Sequence, residues 1–144
     1  MGDEEGLAIC YTNLGICYGM LNEHQKALRY LDTAYTRRKN QHSVNGLIAS
    51  ALYTGQVYSD MKKPDLAIPK LTEALRLSEQ LNDDGRVFDA TYSLGKAYFD
   101  QGIYALAIQK YKTANVLYLK IMHVEKVFRP PNWPNAFVKP PLRF

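Results

Sequence analysis

Residues 14–34 read LGICYGMLNEHQKALRYLDTA, and residues 94–114 read LGKAYFDQGIYALAIQKYKTA. The two stretches share few side chains, yet Leu, Gly, Tyr, Ala and Ala fall at the same places. Sliding the sequence by 40 brings a third copy into line between them. Gly15, Gly55 and Gly95 align, as do Tyr18, Tyr58 and Tyr98, then Ala27, Ala67 and Ala107, then Ala34, Ala74 and Ala114. Other columns keep apolar character: Leu7, Leu47 and Val87; Leu28, Ile68 and Ile108; Leu31, Leu71 and Tyr111. A fixed period of this size signals an array of stacked units, each of which buries its apolar face on its neighbours.

The rhythm inside each unit is helical. Leu7, Cys10, Leu14, Cys17, Tyr18 and Leu21 fall at three- and four-residue steps, the spacing of one helix face. A polar break, NEHQ, follows; then Ala27, Leu28, Leu31, Ala34 and Tyr35 resume the pattern. Breaks at 61–64 (MKKP) and 101–103 (QGI) recur in the next two units. Each unit therefore reads as two helices joined by a tight turn, and no segment alternates with period two for long enough to form a strand. The fold class is all-α, with units over about 5–44, 45–84 and 85–125 of a repeat region spanning 1–125.

Mid-helix glycine costs about 1 kcal/mol relative to alanine. Its recurrence at 15, 55 and 95 predicts that a neighbouring helix approaches there, with Ala27, Ala67 and Ala107 on the facing side. The tyrosines fill the space beyond that contact and need a partner or a wet edge for their hydroxyls. Pro64 suits the first position of a helix, where its missing N–H is harmless. Pro69 lies deeper and predicts one lost backbone hydrogen bond and a slight bend, not a break.

The net charge is +4 and is unevenly placed. Residues 126–144 hold Lys126, Arg129, Lys139 and Arg143 and no acid, which leaves fourteen bases against fourteen acids in the repeats. A neutral body argues against nucleic acid, which requires a basic stripe on a folded face. No apolar run approaches the ~20 residues of a membrane span. The acidic start MGDEEGLAIC reads as neither a secretory signal nor a transit peptide, so a cytoplasmic location is expected. Cys10 and Cys17 lie two helical turns apart, roughly 10 Å, too far for a disulfide. They read as two small buried apolar residues.

Catalytic signatures are missing from the sequence. His24, His42 and His123 are not at ligand spacing, and there is no CxxC, HExxH or Gly-rich phosphate loop. The expectation is a protein without catalysis, cofactor or metal.

The pattern resembles the tetratricopeptide repeat. In unit one Tyr11, Leu14, Gly15, Tyr18, Ala27, Leu31 and Ala34 match the family's order of aromatic, Leu-Gly, Tyr, Ala, aromatic and Ala. Ala51, Thr54, Gly55, Tyr58, Ala67, Leu71 and Ala74 follow in unit two, and Thr91, Leu94, Gly95, Tyr98, Ala107, Tyr111 and Ala114 in unit three. The first aromatic is missing from units two and three, and the family's closing Pro from all three. The period exceeds the usual ~34 residues. With inter-unit stretches MGDEEG, NQHSVNG and NDDG, it is similar to the longer-repeat subfamily of Leu-Gly-Asn-type spindle adaptors. Kinesin light chains and bacterial peptide-sensing regulators have repeats of similar length.

The resemblance implies a right-handed α-α superhelix of three hairpins whose first helices line a concave groove. The groove residues it implies are Thr12, Asn13 and Ile16 from unit one, Leu52, Tyr53 and Gln56 from unit two, and Tyr92 and Lys96 from unit three. Ile9, Met20, Ala49, Asp60, Asp89, Ser93 and Asp100 extend the same surface. Chaperone-binding members of the family clamp a C-terminal carboxylate with several Lys, Asn and Arg side chains. At those positions this chain has Thr12, Ile16, Tyr53, Tyr92 and Lys96, and one lysine cannot replace several charge-assisted hydrogen bonds. The implied function is a scaffold or adaptor that binds another protein's peptide or helix. A peptide-sensing segment of a bacterial regulator and a module that self-associates through its tail or end faces are the alternatives. Residues 126–144, KVFRPPNWPNAFVKPPLRF, hold five of the seven prolines and read as a non-helical tail that caps the array, fills a groove or links.

Overall fold

The computed structural model describes residues 3–128, with side chains through His123. The tail reading beyond Phe128 lies outside the described residues. Six helices follow in order: α1 (Glu4–Met20), α2 (His24–Asn40), α3 (Val44–Asp60), α4 (Pro64–Gln80), α5 (Asp84–Asp100) and α6 (Tyr104–Phe128). No strand occurs among the described residues. Each helix packs on the next, and the three hairpins α1–α2, α3–α4 and α5–α6 stack in sequence through α2 on α3 and α4 on α5.

The forty-residue period has a simple construction. Helices α1 to α5 are 17 residues each, and three-residue turns separate them at 21–23, 41–43, 61–63, 81–83 and 101–103. Turns within and between hairpins are alike. The middle residue of each has positive φ: Asn22 at 60°, His42 at 55°, Lys62 at 58°, Asn82 at 51° and Gly102 at 80°. In the first turn Asn22 N–H donates to the Gly19 carbonyl at 3.0 Å and Glu23 N–H to the Tyr18 carbonyl at 2.9 Å. This pair of bonds closes the orphan carbonyls of a helix end, and it recurs in all five turns. The residue after each left-handed one also opens the next helix, as the Ala27 N–H bond to the Glu23 carbonyl shows. The inter-unit stretches are therefore shorter than NQHSVNG and NDDG suggest: Gly46 and Gly85 already lie inside α3 and α5.

Pro64 is at the start of α4, and the helix runs unbroken through Pro69 to Gln80. The last helix continues to Phe128, past the boundary at residue 125. Lys126, Val127 and Phe128 are all helix-compatible, and the next proline in the sequence is Pro130.

The core repeats with the turns. Leu31 and Leu71 are fully buried and pack with Ala27 and Val57, and with Ala51, Ala67, Leu94 and Ala97, respectively. Burying each leucine contributes about 1.5–3 kcal/mol. The glycines make room for them. A Cβ on Gly15 would stand 2.6 Å from Leu31 Cγ, one on Gly55 2.5 Å from Leu71 Cγ, and one on Gly95 2.8 Å from Tyr111 Cε1. The notch thus receives the large side chain of the facing helix. Gly46 holds the buried Arg38 in the same manner, with the Arg38 stem lying where a Cβ would go.

Cys10 and Cys17 are exposed, against the expectation of burial. The equivalent residues Ser50 and Ala90, and Val57 and Ala97, are buried. They are covered by the preceding hairpin, and no hairpin precedes α1 among the described residues.

Candidate functional site

The first helices form one layer of the stack. Within it the backbones of α1, α3 and α5 lie against one another, whereas those of α2 and α4 do not meet. The second helices reach each other through long side chains. Tyr35 donates to Glu73 Oε1 at 2.6 Å, and Lys70 Nζ stands 4.8 Å from the centre of the Tyr35 ring. The first-helix layer is the tighter of the two.

The eight sequence-predicted groove residues separate into four groups. Thr12 and Leu52 are each 6% exposed. The Thr12 hydroxyl donates to the Ala8 carbonyl at 2.9 Å, and Leu52 belongs to the core cluster with Leu71 and Leu94. In units one and two this helix position packs inside the stack, so neither residue offers surface to a partner; in unit three the same position holds the exposed Tyr92. Asn13 and Tyr53 occupy the position that turns toward the preceding hairpin. Tyr53 packs on Ala27, Leu31 and Val57, while Asn13 is exposed. Tyr92 is exposed but is part of an aromatic cluster, its ring 6.0 Å from Phe88 and 5.6 Å from Tyr111.

Ile16, Gln56 and Lys96 remain. Forty residues apart, all three are half-buried and form a row across the first helices. Polar ties fix the second half of the row. Gln56 Nε2 donates to Ser93 Oγ at 3.3 Å, and Lys96 Nζ donates to Asp60 Oδ1 at 3.3 Å. Lys62 Nζ stands 3.7 Å from Asp100 Oδ2.

Flanking rows grade in the same direction. Ile9, Ala49 and Asp89 run along one side, and Met20, Asp60 and Asp100 along the other. Unit one contributes Ile9, Ile16 and Met20, all apolar; unit three contributes Asp89, Lys96 and Asp100, all charged. Partial burial holds the Asp89 carboxyl above the usual carboxylate range, and nearby Asp83 adds to the effect. Such a surface can take apolar side chains at one end and make charge-assisted hydrogen bonds at the other. Lys96 is already shared with Asp60, so its ammonium is oriented but not free to enclose a carboxylate by itself.

The arc of residues that the resemblance implies is wider than the half-buried row at Ile16, Gln56 and Lys96. The grading of the columns at 9, 16 and 20 was readable and marks the narrower row. Two surface hollows lie elsewhere, on the α1–α2 hairpin. One borders the Glu4–Arg37 ion pair, and the other lies over Tyr30, which stacks between Tyr11 at 6.0 Å and Tyr18 at 5.4 Å. Neither touches the row. Among the described residues no group of three or more His, Cys, Asp or Glu is arranged to hold a metal ion, and no helix is long and apolar enough to cross a membrane.

The chain matches no protein-family model, no curated protein and no solved structure.

Proposed function

We infer that the chain is a non-catalytic interaction scaffold of the tetratricopeptide type. Its three hairpins wind as a right-handed superhelix, and it acts in the cytoplasm by holding a peptide or helix of another protein. The observation that carries this reading is the graded row of Ile16, Gln56 and Lys96 along the tighter layer of the stack. Repeats at a forty-residue step, with glycine notches that bring the helices together, support the family assignment.

The grading sets the register of the ligand. An amphipathic segment lays its apolar anchors near Ile9, Ile16 and Met20 and its polar or basic residues near Asp89, Asp100 and Lys96. This is the helix- or strand-in-groove mode, in which a few apolar anchors supply affinity and polar groups fix orientation.

Selection of peptides from a displayed library, followed by calorimetry, tests it. Ile16→Glu and Lys96→Glu are each expected to weaken the selected peptides by about tenfold or more. Cys10→Ser, away from the row, leaves affinity unchanged. Peptides that bind both row variants as tightly as the wild type would remove the row as the site.

A further inference from the structure

We propose that the two ends of the stack are the halves of one interface and that copies of this chain join through them, the N-terminal end face of one against the C-terminal end face of another. The inference does not rest on the groove reading: it concerns the end faces of the stack, although Met20 and Asp100 border both surfaces.

The interface between hairpins occurs twice inside the chain, as α2 on α3 and as α4 on α5. Shifting its contacts by whole repeats gives the pairs that would meet between two copies. Val57 shares a core cluster with Leu28; the corresponding pair is Cys17 with Ile108. Cys17 is exposed and Ile108 is 54% exposed, although their equivalents in the chain cover each other.

The polar cross-ties carry the argument further. Gln101 Nε2 donates to Asp65 Oδ1 at 2.5 Å; the corresponding pair is Leu21 with Ala105. Lys62 pairs with Asp100; the corresponding pair is Gly102 with Met20. Lys70 stands over Tyr35; the corresponding pair is Tyr30 with Asn115. Both halves of each contact are replaced together, and by uncharged residues, so the joint strands no charge at these places. The C-terminal side of the joint keeps two charges, Asp100 where Asp60 receives Lys96 and Lys96 where Gln56 meets Ser93, and each is already paired, with Lys62 and with Asp60.

Size is matched as well. Asn115 stands where Tyr35 stands, and Tyr30 where Lys70 stands, so a large residue again faces a smaller one. Arg38 fills the notch at Gly46; Tyr118 would fill the one at Gly6. Met20 and Leu21, 81% and 68% exposed, are the least covered large apolar side chains on the N-terminal face.

Because the two faces differ, the joint does not close on itself, and association continues by addition at either end. Sedimentation of the full chain at graded concentrations is expected to show a mass that rises beyond that of a dimer. Cys17→Glu and Ile108→Glu, both at exposed positions, are each expected to abolish it. An equimolar mixture of the two variants retains one good joint and stops at the dimer. Alkylation of Cys10 and Cys17 in the wild-type chain is expected to slow as concentration rises.

A wild-type chain that stays monomeric throughout overturns the proposal. So does association that persists in each variant alone, which would place it on another surface. Thiol protection that does not depend on concentration would mean that a segment of the same chain covers the face, and would overturn it too.

Discussion

Gly15 is set against Leu31 so closely that a single added methyl group would stand 2.6 Å from Leu31 Cγ and 2.9 Å from Cδ2. Leu31 is fully buried and cannot withdraw. Gly15→Ala is therefore expected to destabilise the fold by about 1–3 kcal/mol through overpacking, despite the gain in helix propensity. Gly19, one turn on, is the control. A Cβ there meets Val57 Cγ2 at 3.4 Å, an ordinary contact. Gly19→Ala should raise stability by up to about 1 kcal/mol. Urea denaturation of the two variants reads both signs, and equal shifts would contradict the notch.

The turns make a second prediction. His42 and Lys62 hold left-handed backbone at φ 55° and 58°, a conformation that costs a residue with a Cβ roughly 1–2 kcal/mol. Lys62→Gly is expected to raise the melting temperature, because glycine adopts that conformation without the clash. Gly102→Ala should lower it, although nothing lies within 4 Å of the added methyl, because φ is 80° there. A rise in both would show that the strain is not in the backbone.

Tyr35 supplies a pH signature. Its hydrogen bond to Glu73, with burial and the Glu73 charge, pushes the phenol up to about 12 from the usual 10.0, while Arg76 pulls the other way. The folded state holds the proton more tightly than the unfolded chain. The contribution is therefore complete below pH 10 and is lost as pH rises toward about 12. Spectrophotometric titration should show Tyr35 ionising late, beside Tyr111, which burial also pushes up, and Tyr35→Phe or Glu73→Gln should each remove the Tyr35 part of the late step. A late step unchanged in amplitude by Glu73→Gln would assign it to other tyrosines.

The period, the helical content and the close approach at Gly15, Gly55 and Gly95 were legible because they depend on spacing within one unit; that Leu31, Leu71 and Tyr111, and not the expected alanines, fill the notches was not. What covers each unit was not. Cys10 and Cys17 read as core because cysteine packs as a small apolar residue, and their equivalents Ser50, Ala90, Val57 and Ala97 are indeed buried. Exposure at the first unit depends on what stands before it, which a column cannot express. Thr12 and Leu52, which the resemblance implies for the groove, are buried, whereas Tyr92 in the same column is exposed: the small hydroxyl of Thr12 turns back to Ala8 and Leu52 joins the core with Leu71, and a column does not express that difference. The turns at His42 and Lys62 carry no glycine or asparagine and were placed only by the breaks around them. The chemistry of the row was readable in its grading from Ile16 to Lys96, once the neighbouring columns were set aside.

The three-residue joints leave the polypeptide no slack. Each residue closes one rod or opens the next, and insertion of a single one would turn everything downstream by about 100° around its axis. Glycine notches would then face the wrong side chains along the rest of the chain. Length can accordingly be altered without repacking only in whole hairpins, so the molecule is extensible by addition of complete modules and intolerant of any smaller change in count.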